Sequence, residues 1–173
     1  MLFSCQEKKP NSNIESILNS KFYKLTDSNK IQYLDSVRPT INSIAIDSLQ
    51  IKILFEIAAE YYYLNNNESS FLVSKEILAL SKKNKDSVSI GRALYYMGDC
   101  YENFQKDSAY HYYKQSEKIF RAINENEKIA KALFNKAHLL FSEGNYVESE
   151  VEVIKALQKL KHTKKYNFLL YFG

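Results

Sequence analysis

Leu94-Tyr95-Tyr96-Met97-Gly98-Asp99-Cys100-Tyr101 is the stretch on which the reading of this chain turns. Its frame, large-x2-large-small-x2-aromatic, has a counterpart on either side: Phe55-x2-Ala58-Ala59-x2-Tyr62 before it and Leu133-x2-Lys136-Ala137-x2-Leu140 after it. The small residues Ala59, Gly98 and Ala137 stand 39 positions apart each time. Recurrence at a fixed interval of this length is the mark of one supersecondary unit used repeatedly. No such unit hides its apolar side alone, so consecutive units must stack.

Working outward, Ile51, Leu54, Phe55, Ala58, Ala59 and Tyr62 recur at three-and-four spacing, the stripe of a helix that starts near Asp47 and ends at the Asn65-Asn66-Asn67 turn. A second helix is expected from about residue 68 to 82, striped by Phe71, Leu72, Val73, Ile77, Leu78 and Leu80. The next pair is expected at 87–103 and 107–123. The third is expected at 128–142 and 146–161, turning at Glu143-Gly144-Asn145, where Gly144 suits the left-handed end of a helix. Upstream, apolar positions from Ile14 to Tyr23 and then Ile31, Leu34 and Val37 predict two short helices. Asp27-Ser28 is placed to cap the second, and Pro39 to stop it. The organisation expected is therefore a tail over 1–13, a helical cap over 14–46, three hairpins over 47–162 and the start of a further, truncated repeat over 163–173.

Composition agrees with helices. In 173 residues there are four Gly, two Pro and no Trp, too little punctuation for a strand-and-turn architecture, while 45% apolar content suffices for a continuous core. The net charge is +4, but the basic clusters, Lys82-Lys83 with Lys85 and those over 159–165, are short and read as solvated loop ends. No nucleic-acid role is expected. Cys5 and Cys100 are too isolated for a disulfide framework or a zinc site. His111, His138 and His162 fall on different hairpins, none a helical turn from another His or a Cys, so no metal is expected. No Gly-rich loop precedes a helix, which removes phosphate cradling. Glu56 and Glu60 lie one turn apart without a nucleophile or second base, an acidic stripe and not a catalytic pair. No cofactor and no enzymatic activity are expected.

Ala109 and Tyr113 follow Tyr101, and Gly144, Tyr146, Ser149, Val153 and Ala156 follow Ala137. With the first-helix frame, this resembles the tetratricopeptide repeat (TPR) over about residues 47–161, in the extended form found in bacterial sensor and regulator proteins. Four departures accompany it: the interval exceeds the usual 34 residues, Lys136 takes a position that is apolar elsewhere, no repeat ends in Pro, and Ser108-Ala109 comes one residue early. The first repeat leaves either Ser70 or Phe71 at the small site. The resemblance implies an all-α, right-handed α-α superhelix of antiparallel hairpins, with the first helix of each pair lining an inner face that holds peptides. By helical phase the inward residues are Glu56, Glu60 and Tyr63, then Arg92, Tyr95, Asp99 and Glu102, then Lys131, Phe134, His138 and Phe141. Rigid rings with flanking charges suit an extended or helical peptide. The basic-and-Asn clamp that some relatives use for a peptide C-terminus is not reproduced.

Leu2-Phe3-Ser4-Cys5 resembles the end of a bacterial lipoprotein signal, which implies a lipid anchor at Cys5, a tether over 6–13 and a place in the cell envelope, the cytoplasm being the alternative. The apolar run Phe168-Leu169-Leu170-Tyr171-Phe172 reads as an uncapped edge, implying either further repeats or a homo-oligomer. The expected function is a non-enzymatic protein- or peptide-binding scaffold, resembling the sensory segment of envelope signalling proteins. Assembly through the open edge is the alternative, and a cytoplasmic chaperone adaptor the third reading.

Overall fold

The computed structural model describes residues 17–41, 43–44 and 47–161. Cys5, the tether and the segment 163–173 lie outside the described residues. The chain divides into two compact units, Met1–Ser43 and Ile44–Gly173. Among the described residues there are seven α-helices and no strands.

In the first unit a 3-10 turn, Phe22–Lys24, precedes α1, Asp27–Ile41. Asn19 closes the turn by accepting from the Lys21 and Phe22 amides, and the Tyr33 hydroxyl donates to the Ile17 carbonyl at 2.9 Å. The cap of α1 is Thr26, whose Oγ1 accepts from the Asn29 amide, so the N-terminus falls one residue before the expected Asp27-Ser28. Pro39 does not stop the helix, which runs on to Ile41. In a last turn the missing amide concerns only the carbonyl of Asp35, an exposed residue. Later carbonyls are taken by side chains: Thr40 Oγ1 donates to Val37 and Ser43 Oγ to Thr40, each at 2.6 Å.

The second unit holds α2 (Asp47–Tyr63), α3 (Asn67–Lys83), α4 (Ser87–Tyr101), α5 (Lys106–Ala122), α6 (Asn126–Ser142) and α7 (Tyr146–Leu160). Each packs on the next in sequence, and α2 also meets α4. Turns of three or four residues force antiparallel neighbours, giving the hairpins α2-α3, α4-α5 and α6-α7. No helix among the described residues is long and apolar enough to cross a membrane.

Four of the five turns are Schellman caps. Asn65, Lys85, Asn124 and Gly144 take positive φ, and the following amides of Asn66, Asp86, Glu125 and Asn145 reach back to the carbonyls of Tyr61, Ser81, Phe120 and Leu140 at 2.9–3.0 Å. These left-handed residues are 20 positions apart from 65 to 85 and from 124 to 144, but 39 apart from 85 to 124. The natural period is thus 40 per hairpin, and the stretch formed by the end of α4 and the turn at 102–105, which has no left-handed residue, is one residue short. That missing residue is why Ala109 comes early.

The shortfall also decides which small residue sits at the crossing. Ser149 Oγ donates to the Ala137 carbonyl and Ser70 Oγ to the Ala58 carbonyl, both at 2.8 Å. In the first hairpin the crossing residue is therefore Ala58, fully buried, while Ala59 is half-buried on its flank. Ser70, 1% exposed, takes the small site that was open between it and Phe71. Gly98 lies under the Tyr113 ring, where an added Cβ would stand 2.6 Å from a ring carbon; Gly91 lies likewise under Phe120. The small residues expected to let second helices nest, Ala109, Ser149 and Ala156, are all buried.

Lys136 is buried between two carboxylates. Its Nζ donates to Glu117 of α5 and Glu152 of α7, each at 2.9 Å, and those also receive Arg121 and Lys155. Burial disfavours the ammonium, but the bonds to Glu117 and Glu152 outweigh it and hold its pKa above the ordinary lysine value. The departure from an apolar residue is thus a polar bolt joining α5, α6 and α7.

Candidate functional site

The first helices α2, α4 and α6 carry the residues expected to face inward, and between α4 and α6 they close into one network. Asn135 Nδ2 donates to the Tyr95 hydroxyl at 2.6 Å and to Asp99 Oδ1 at 3.3 Å. The Tyr113 hydroxyl, reaching in from α5, donates to Asp99 Oδ1 at 2.7 Å and Glu102 Oε2 at 3.2 Å. Glu102 Oε1 meets His138 Nδ1 at 2.9 Å. Lys131 Nζ lies 4.6 Å from the centre of the Tyr95 ring, and the Arg92 guanidinium 3.9 Å from that of Phe55.

Burial pushes the Asp99 carboxyl up to about 7, with Glu102 adding to the rise and the Tyr113 hydrogen bond and Lys131 opposing it. Burial and the Asp99 charge raise the Tyr95 and Tyr113 phenols, which therefore act as neutral hydrogen-bonding groups. Burial also pushes the Cys100 thiol up to about 11, far from a nucleophilic thiolate. No group of three His, Cys, Asp or Glu among the described residues is placed to hold a metal.

Two hollows open beside this network. The first, of about 110 Å³, lies among Tyr62, Tyr63, Tyr96, Ser70, Asp99 and Lys131, with Ala59 at its side. The second, of about 190 Å³, lies among Arg92, Tyr95, Tyr96, Phe120, Lys128 and Lys131. Tyr96 and Lys131 belong to both. A larger basin of about 620 Å³ lies elsewhere, over α5 and the Lys136 bolt.

Seven of the eleven inward candidates come together: Tyr95, Asp99, Glu102, Lys131 and His138 in the network, Arg92 and Tyr63 at the hollows. Phe134 instead packs against the core cluster of Phe120, Ile129 and Leu133. Phe141 is exposed beside Tyr146, ring centres 5.2 Å apart. Glu56 is exposed and Glu60 half-buried, neither lining a hollow. Helical phase overlooked Asn135, although it lies one turn beyond Lys131 on the same face. It also had no means of finding Tyr113, which comes from a second helix.

Comparison with known proteins follows the same lines. The family model of the SusR N-terminal TPR domain matches residues 57–172, more than half of the chain. The chain belongs to the SusR N-terminal TPR domain family. No curated protein matches it significantly. Among solved structures, BtubC (BKLC) from P. vanneervenii is similar with a TM-score of 0.65 at 13% identity; the match covers 80% of this chain and 58% of that one. The chain therefore spans less than two thirds of BtubC, and at that identity the likeness is one of fold. The tetratricopeptide resemblance and the all-α hairpin solenoid both hold for this TPR domain.

Proposed function

We propose that this TPR domain captures a segment of another protein along the face made by α2, α4 and α6. The observation that carries the reading is the pair of hollows sharing Tyr96 and Lys131 beside a hydrogen-bonded strip from Tyr95 to His138. Each polar group of the strip is held by a neighbour before any ligand arrives, so a guest has few side chains to order, and rings supply contact area at small entropic cost. The family suits a sensory or interaction segment of a bacterial signalling protein at the cell envelope, with Cys5 as a lipid anchor; palmitate labelling of wild type against Cys5→Ser tests that placement.

The decisive experiment replaces Tyr63, 75% exposed at the mouth of the first hollow, with photo-reactive benzoylphenylalanine, and in parallel Leu72, exposed on α3. Adducts from position 63 that are absent from position 72 support the inner face. Equal adducts from both positions would remove it.

A second reading, assembly through the repeat edge, is favoured by one observation: α7 exposes Val147, Val151, Ile154 and Leu157 at helical spacing. Sedimentation of wild type against Val151→Lys/Ile154→Glu tests it, since a shift from dimer to monomer is required.

A further inference from the structure

We infer that the hollow between Arg92 and Lys131 accepts an anionic side chain, carboxylate or phosphate, from within the captured segment; this rests on the inner-face reading above. Three cations surround the hollow, Arg92, Lys128 and Lys131, and no carboxylate lines it. Lys128 is already paired with Glu125 at 2.6 Å. Arg92 and Lys131 are different: each lies against a ring, Phe55 and Tyr95, and neither makes an ion pair within 4 Å among the described residues, although the Lys131 charge is felt by Asp99. A ring partner accepts none of the guanidinium's N–H groups in a carboxylate-like fork, so the planar N–H edge that a carboxylate or phosphate binds two at once is left to a ligand. Asp86 feels the charge of Arg92 but is engaged at the cap of α4, accepting from the Ser89 amide at 3.1 Å.

The setting adds to the pull. Tyr95, Tyr96 and Phe120 form the apolar part of the wall and exclude water from one side, which strengthens an ion pair over one in open solvent. Arg92 stands near the start of α4, and Lys128 and Lys131 near the start of α6, so the positive ends of both helix dipoles lie on the same side. Toward the end of α4 the sign changes, with Asp99 lining the other hollow and Glu102 linked to it through the Tyr113 hydroxyl. A segment laid across both hollows thus meets three cations at one, and at the other Lys131 together with the single carboxyl of Asp99. About 190 Å³ is the share of roughly six waters at ~30 Å³ each, room for a phosphate or a carboxylate with its stem. Because the two hollows share Tyr96 and Lys131 on their rims, a chain lying in one reaches the other across those side chains, and the anion comes from a side chain, not a chain end.

The test is an array of acetylated and amidated ten-residue peptides, randomised except for a fixed central Asp, Glu, phosphoserine, Gln or Lys, probed with the whole chain. Expected is roughly tenfold stronger capture of the acidic sets over Gln, the size of one charged hydrogen bond, falling with added salt. The preference disappears in Arg92→Gln/Lys131→Gln and is halved or more in Lys131→Gln alone, an exposed position that leaves the core untouched. Glu against phosphoserine separates the two anions. Capture without an acidic preference, or a preference that survives both variants, overturns the anion site yet leaves the inner face standing. Capture only of peptides with a free C-terminus overturns the internal position. Peptides that bind but fail to compete with photo-adducts from position 63 overturn the inner-face reading itself, and with it this one.

Discussion

The Tyr113 ring of α5 occupies the space that a side chain on Gly98 of α4 would need, its nearest carbon 2.6 Å from an added Cβ. The ring is fixed there, since its hydroxyl is bound to Asp99 and Glu102 on the far side of the crossing. Gly98→Ala gains roughly 1 kcal/mol of helix propensity but overpacks a site with no flexible end to yield, at about 1–3 kcal/mol. The expected outcome is a net loss, seen as a lower urea midpoint and a lower Tm. The reverse change, Ala137→Gly at the equivalent crossing, leaves a small void and costs about 1 kcal/mol by propensity alone.

Asp99 makes folding depend on pH in a particular direction. Its carboxyl titrates near 7 when folded and near the ordinary aspartate value when unfolded, so between those pH values the native state holds a proton that the unfolded state has lost. The group therefore favours folding fully below the unfolded pKa, and that contribution fades as pH rises through about 7. The charges facing it are Glu102 on its own helix and Lys131 on α6, with the phenols of Tyr95, Tyr113 and Tyr62 around it. Glu152 and Asp86, whose pKa values are lowered, slope the other way, so the signal is the difference between wild type and Asp99→Asn. Wild type should lose stability relative to Asp99→Asn from pH 4.5 to 7.5 in urea titrations; a constant difference would show Asp99 to be ionised throughout.

The bolt at Lys136 should cost more to break than to replace. Lys136→Met leaves Glu117 and Glu152 facing each other with only Arg121 and Lys155 as partners, a loss of about 3 kcal/mol. Lys136→Met/Glu117→Leu/Glu152→Leu, which removes the buried charges together, should recover most of it, because buried ion networks and apolar packing of similar volume are often near parity. Urea denaturation of the three chains checks both halves.

The architecture was legible because one physical requirement, close helix crossings at small residues, repeats along the chain: the helix ends of the hairpins fall within two residues of where periodicity put them. The crossing register was less legible. Ala58 and Ala59 are both small, and it is the one-residue deficit between the end of α4 and the start of α5, with the Ser70 bond to the Ala58 carbonyl, that shows Ala58 to be the crossing residue. Lys136 was visible as an exception, but its partners lie 19 positions before and 16 after, on helices whose facing cannot be fixed from spacing. The inner face was half legible for the same reason. Phase on one helix finds Tyr95 and Lys131 of the hydrogen-bonded network, whereas Tyr113 enters from the neighbouring helix, and Phe134, on the same phase as Tyr95, packs against the core.

The four left-handed turn residues offer the cleanest test of that turn chemistry. Gly144 takes φ +83° with nothing within 4 Å of an added Cβ, so Gly144→Ala meets no clash and suffers only the left-handed penalty, about 1 kcal/mol. Lys85 takes φ 55° at the equivalent place after α3 and carries a Cβ that this conformation disfavours. Lys85→Gly relieves that strain but frees the unfolded chain, so its gain is smaller, about 0.5 kcal/mol. Opposite shifts in Tm for Gly144→Ala and Lys85→Gly are expected, with Asn65→Gly closer to zero because asparagine tolerates the left-handed region. If Lys85→Gly lowered Tm, the Lys85 side chain would be contributing contacts beyond the turn, and the 20-residue spacing of the caps would no longer be explained by backbone conformation alone.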